Sequence, residues 1–428
     1  MAYPGATLTA GDRNRGAGAA FFRMPPRFLE LGFYAYLFYS IFSDVVGLSI
    51  PLGGVGMLAA MVAYSFVVVD AGRQISSLRL VGFPLACGLS HIAVQMAVHG
   101  ESLEATYVRE FVPWMLMLIL VQTLARRDGF LLRCSLVAVM IGLMTLPFLK
   151  MGVYEDSVYR AQLDRSAGSV GGLANSNALG DWFGFCAVSL AIIAIESRRA
   201  SLRAVAGVLA AGCLFVVGLT VSRGALLAVA LAVLIALRRL LKRGFVPLLS
   251  ICALAWIAFA SGLFDNIAAQ YGLRGTEESG RFLVWPIVIA RWMASPIIGV
   301  GVSNAVTLVA KAEAWYTPHN GFLFIGLVSG TIPLVFFALY WMQAGLGALH
   351  LGPEQRHDAP FHPPLLAYAL LTTLSSGLTF MVPWVVVTLA SINAGAAVPD
   401  TVRRRRPSTR AELTWGHRRS TYAGERGT

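Results

Sequence analysis

Apolar residues run along this chain in unbroken stretches, not in the every-second-residue alternation of a barrel strand. In lipid, only a helix or a closed barrel satisfies every backbone N–H and C=O, and about 20 apolar residues carry a helix across a ~30 Å hydrocarbon core. The pattern therefore predicts an all-α polytopic membrane protein. Twelve spans are expected, over residues 28–43, 48–69, 80–98, 108–124, 131–149, 178–195, 203–221, 224–237, 245–263, 320–341, 364–378 and 381–397. Two connections are long: 150–177, which is polar and Gly-rich, and 264–319, between the ninth and tenth helices. Within the second, residues 281–294 are amphipathic and are expected to lie along a membrane surface. Long ordered loops usually carry function.

Composition agrees with this picture. Of 428 residues, 57% are hydrophobic and 13% charged, too little charge to coat a soluble globule of this size. Residues 1–20 are small and polar, with Arg13 and Arg15, so no cleavable signal is expected and the first span serves for insertion. The five cysteines fall in five different apolar spans and read as small buried hydrophobes. The chain divides into an N-terminal segment (1–27), a transmembrane region with its two outer loops (28–397), and a basic tail (398–428). The tail has the composition of a disordered segment drawn to anionic lipid.

A net charge of +12 would suggest nucleic acid in a soluble protein, but the positions of the charges suggest otherwise. With the N-terminus inside, nine of the 34 Lys and Arg fall outside: Arg109, Lys150, Arg160, Arg165, Arg223, Arg274, Arg281, Arg291 and Lys311. The other 25 fall inside, as the positive-inside rule requires. Both termini are thus expected in the cytoplasm, membrane lipids are the expected partners of the basic segments, and no nucleic-acid partner is expected.

The nine exceptions direct attention to the outer face. Arg223 sits in Thr220-Val221-Ser222-Arg223-Gly224-Ala225, an almost loopless turn between two apolar runs. It reads either as an arginine reaching the headgroups or as a cation held for a phosphate or carboxylate, which its planar fork suits. Ser279-Gly280-Arg281 stands in the large loop, followed by Trp285-Pro286 and later by Gly299-Val300-Gly301. That glycine pair follows no strand, so it is not a dinucleotide fingerprint. Pro318-His319-Asn320 closes the loop. His319 can act as a general base near neutral pH, and Asn320 can cap the following helix. In the first loop Arg160 and Arg165-Ser166-Ala167-Gly168 precede Asn175-Ser176-Asn177, where Asn177 is the expected cap of the sixth span. No cluster of acids with metal-ligand spacing occurs in these loops, so no metal is expected; no cofactor of another kind is expected either.

Taken in order, R-x-x-G and N-x-N before the sixth span, S-R-G-A between the seventh and eighth, G-R with W-P, G-x-G, and P-H-N resemble the O-antigen ligase and polymerase superfamily of bacterial membrane glycosyltransferases. The resemblance covers residues 160–345. It implies a GT-C-like, metal-independent enzyme of the bacterial inner membrane with a periplasmic active site. Such an enzyme moves a glycan from an undecaprenyl-diphosphate carrier to a hydroxyl on a lipid or glycan acceptor. Carried over by position, Arg223 and Arg281 hold the diphosphate and His319 activates the acceptor. Arg160, Arg165, Asn177 and Asn320 contact substrate. The alternative from another class is a polytopic transporter of a small anion or glycolipid, against which the few intramembrane charges, near span ends at Asp181, Glu110 and Arg133, weigh slightly.

Overall fold

The computed structural model describes residues 27–43, 53–102, 109–153, 159–163, 175–241, 256, 260–262, 264–273, 281–305, 318–350, 357–375 and 379–396. The span expected at 245–263, Cys252 within it, Arg165 and the basic tail lie outside the described residues, apart from a few positions between 256 and 262.

The elements follow the apolar runs. In order they are α1 (Arg27–Phe42), α2 (Gly53–Val68), α3 (Ala71–Leu80), α4 (Gly82–Ala97), α5 (Phe111–Leu124) and α6 (Phe130–Thr145). A two-stranded hairpin follows, β1 (Leu149–Val153) and β2 (Tyr159–Leu163), and then α7 (Ser176–Glu196), α8 (Ala200–Leu219) and α9 (Arg223–Leu241). The last group is α10 (Asp265–Leu273), α11 (Arg281–Ala294), α12 (Gly321–Ser329), α13 (Thr331–His350), α14 (His362–Ser375) and α15 (Pro383–Ala396). Among the described residues, four helices are long and apolar enough to cross a membrane, or five if α3 and α4, bent by 65° at Val81, form one span. The hairpin is antiparallel, with Arg160 opposite Gly152, and it is a β element inside the first long loop of an otherwise helical fold.

Helix α7 is the centre of the packing. In its most apolar window 78% of residues are buried, against 28% for α8 beside it. It packs against α6, α8, α9 and α14. Glycine makes this approach close: a β-carbon on Gly184 would meet the Tyr368 hydroxyl at 2.2 Å and Val229 at 2.9 Å. The Tyr368 hydroxyl donates to the Asp181 carbonyl oxygen at 2.6 Å, tying α14 to α7. The four cysteines among the described residues (Cys87, Cys134, Cys186, Cys213) are buried and reduced, as hydrophobes in the core should be.

One end of the bundle is held by charge. Glu30, in the first turn of α1, accepts from Arg133 Nε at 2.5 Å and from Arg127 at 3.1 Å, and also from the Tyr34 hydroxyl. From far along the chain, the Asp358 carboxylate accepts the backbone N–H groups of Leu131 and Leu132 at the start of α6. Arg133 is thus part of a paired cluster that joins α1 to the turn before α6.

The expected tenth span, 320–341, is not one helix. The chain reverses at Gly330, where φ is +83°. Phe322 of α12 lies 4.8 Å from Phe337 of α13, ring to ring, and the position of a Gly326 β-carbon is 3.3 Å from Leu334. Residues about equally far before and after Gly330 therefore face each other, and α12 and α13 form a helical hairpin. Only α13 is long enough to cross a bilayer. A left-handed residue with an extended ψ is accessible to glycine and almost nothing else, a constraint that hydropathy alone does not report.

Helix α11 runs beside α12, with the β-carbon position of Gly326 3.2–3.3 Å from the Trp292 ring. The segment after it crosses the hairpin tip through backbone bonds: Thr331 N–H to the Pro296 carbonyl at 2.7 Å, Val300 N–H to Leu327 at 2.8 Å, and Gly301 N–H to Val328 at 3.1 Å. The Gly-x-Gly pair is therefore structural. A side chain on Gly299 would strike the backbone of residues 327–329 at 2.6 Å.

Candidate functional site

Arg223 is the first residue of α9, directly after a tight turn. Thr220 and Ser222 are buried in that turn, and the Thr220 hydroxyl donates to the Val217 carbonyl at 2.7 Å. The Ser222 carbonyl accepts the Leu226 N–H at 3.0 Å and so begins the helix. Between them Val221 has φ of +51° and is fully buried. A β-branched residue in the left-handed region is strained and persists only where its surroundings enforce it. Here α7 enforces it. A β-carbon on Gly180 would sit 2.8 Å from the Thr220 hydroxyl and 3.1 Å from Ser222, so α7 presses on the turn through a glycine. Arg223 itself is half-buried.

His319 is held in a similar way. Its φ is +46°, and with Val221 it makes the pair of non-glycine residues with positive φ among the described residues. On one side the buried Pro318 carbonyl accepts the Trp285 indole N–H at 2.9 Å. On the other, Asn320 caps α12, its side-chain oxygen accepting from Phe322 N–H at 3.0 Å and Leu323 N–H at 3.1 Å. The expected cap at Asn320 is thus present. The half-buried imidazole sits between a pinned carbonyl and a helix cap.

The cap of α7 is a correction. Asn175, not Asn177, accepts the orphan N–H groups, from Asn177 at 2.7 Å and Ala178 at 3.1 Å. Asn177 lies in the first turn as a donor through its backbone. Both asparagines suit the role by type, and the extended conformation of Asn175 decides between them.

The other arginines are placed by their backbones. Arg281 opens α11, whose residues Val284 and Val288 are buried, and β2, which carries Arg160, packs against α7 and α8. Helix α14 packs on both α9 and α12, so one helix joins the element that starts at Arg223 to the one that starts after Asn320. Among the described residues no group of three His, Cys, Asp or Glu is arranged to hold a metal ion.

A polar bracket was missed in the sequence. The Gln95 side chain donates to the Val328 carbonyl and the Ser329 hydroxyl, both at 2.9 Å, and accepts the Val302 N–H at 3.0 Å. His91 Nδ1 is 2.6 Å from the Ser329 hydroxyl, and the ring stacks on Phe111 at 3.8 Å. His99 Nε2 lies 2.9 Å from the Ile298 carbonyl, and Glu101 accepts the Ser303 N–H at 3.0 Å. The signal was available: His91, Gln95 and His99 recur every four residues in an apolar run, which puts polar groups on one helical face.

No curated protein matches the chain. Residues 208–338, which include Arg223, Arg281 and Pro318-His319-Asn320, match the family model described as O-antigen ligase.

Proposed function

We propose that the protein transfers a glycan from an undecaprenyl-diphosphate carrier to a hydroxyl on a lipid or glycan acceptor, at the periplasmic side of the inner membrane. On this reading twelve spans cross the membrane with both termini in the cytoplasm. Arg223 and Arg281 hold the diphosphate and His319 is the base. Arg160, Arg165, Asn177 and Asn320 contact the glycan or phosphate. The observation that carries the reading is the coincidence of strain and motif. Val221 and His319, the left-handed non-glycine pair, fall in the Thr-Val-Ser-Arg-Gly and Pro-His-Asn segments, both inside the matched region. Backbone strain that packing sustains clusters at functional sites.

The chemistry is a displacement at the anomeric carbon. The acceptor O–H gives its proton to the imidazole, its oxygen bonds to that carbon, and the carbon–oxygen bond to the diphosphate breaks. Charge grows on the leaving diphosphate, where a fixed guanidinium stabilises the transition state more than the ground state. Attack opposite the leaving group inverts the anomeric carbon. The fold-back at Gly330 sets His319 beside α13, about 13 Å of helix from the hairpin tip. The test is restoration of surface glycan in a strain lacking the gene. Wild-type protein should restore it, with inverted linkage by NMR, and Arg223→Ala and His319→Ala should not, at equal membrane abundance. Normal transfer by either well-produced variant removes that residue from the site.

A further inference from the structure

A cavity of about 210 Å³ is lined on α7 by Ala178, Asp181 and Trp182; Ala178 and Trp182 lie two residues, about 200° of helical turn, from Gly180, which faces the Arg223 turn. Tyr36 and Ser40 of α1, Asp181 and Trp182 of α7, and Thr379 and Trp384 beside and on α15 line it. Asp181 follows Gly180, the residue through which α7 presses on Thr220 and Ser222. The lining combines three aromatic rings, one of them the Tyr36 phenol, with a carboxylate that is 3% exposed and two aliphatic hydroxyls. A carboxylate within an apolar helix is costly, and in a membrane span it marks a functional site by default. Aromatic faces beside a carboxylate match a ligand with an apolar C–H face and many O–H donors, which describes a sugar ring. The volume is below the ~300–1,000 Å³ of sites for drug-sized ligands, enough for one ring and not for an extended glycan.

We propose that this cavity binds one sugar ring of the carrier-linked glycan, with Asp181 accepting its hydroxyl hydrogen bonds. The inference rests on the glycan-transfer reading and deepens it: the diphosphate would lie at Arg223 and the attached sugar across α7 at Asp181. Asp181 is then a specificity residue, not the base.

The experiment measures transfer and binding separately, with purified protein in nanodiscs. The probes are carrier-linked glycan extracted from the producing cells and bare undecaprenyl diphosphate. Asp181→Asn keeps the shape and removes the charge; Thr379→Val removes a hydroxyl and serves if the first variant fails to fold. Each should raise KM for the glycan donor about tenfold while kcat stays within about twofold, the signature of binding lost equally from ground and transition states. In tryptophan-fluorescence titrations the wild type should prefer the glycan-linked carrier to the bare one about tenfold, and Asp181→Asn should abolish that preference. A folded variant that keeps the wild-type preference overturns the proposal. So does one that weakens bare carrier equally, since the cavity then holds the isoprenoid chain. A wild type that transfers no glycan removes the glycosyltransferase reading itself; a transferring wild type with an indifferent Asp181→Asn removes only this inference.

Discussion

A β-carbon on Gly330 would lie 2.0 Å from the carbonyl oxygen of Ile297, so the hairpin tip and the segment that crosses it exclude any side chain at that position. The same glycine has φ of +83°. Gly330→Ala therefore meets both a steric and a conformational barrier and should cost more than about 3 kcal/mol, since left-handed strain alone costs ~1–3. Thermal unfolding in detergent should show a large loss of Tm. Gly345→Ala, whose β-carbon meets nothing within 4 Å, should leave Tm unchanged or slightly raised. Equal behaviour of the two variants would contradict the fold-back.

At position 319 backbone and chemistry can be separated. His319→Asn keeps a residue type that tolerates φ of +46°, and His319→Gly removes the strain altogether. If the imidazole is the base, both should be produced normally and lose about 10²–10⁴ in kcat, the usual share of general base catalysis. Activity retained in His319→Asn would make the role conformational.

Arg223→Lys tests the fork. Lysine keeps the charge but cannot make two parallel bonds to phosphate oxygens. Its glycan transfer should fall well below wild type and above Arg223→Ala, as measured on membranes with matched protein content. Full activity in Arg223→Lys would leave only a point-charge role.

The two asparagines before α7 should separate stability from binding. Asn175→Ala removes a cap that holds two N–H groups and should cost ~0.5–2 kcal/mol. Asn177→Ala should change unfolding little, because its side chain is not the cap, and should weaken transfer if Asn177 contacts substrate. A stability loss confined to Asn177→Ala would restore the sequence assignment.

Glu30→Gln should destabilise the charged end, because it leaves Arg127 and Arg133 together without their shared carboxylate. Removing one partner of a fully buried pair costs ~3–5 kcal/mol, and the 41% exposure of the Arg133 side chain lowers the expectation to about 1–3. Glycan transfer at low temperature should persist, since this cluster is not part of the proposed site.

Hydropathy and charge by themselves determined that the chain is helical and built for a bilayer, and where most helices begin and end. Those properties are local: about 20 apolar residues either fill a membrane's thickness or do not. The sequence also picked out Arg223 and His319, because a cation in a tight turn and a histidine before a helix cap are unusual in any setting. Tertiary structure alone decided the rest. Position 330 is one glycine among several in apolar runs, and only its left-handed backbone and its close approach to Ile297 set it apart. Asn175 and Asn177 are the same residue type, and the entry angle of the chain chose the cap. Gly299 and Gly301 pack against the backbone of the hairpin tip and the His99 ring, partners far away in sequence. Strain at Val221 and His319 was likewise illegible, because the side chains carry no sign of φ; it exists where α7 presses on one turn and where Trp285 and the Asn320 cap pin the other.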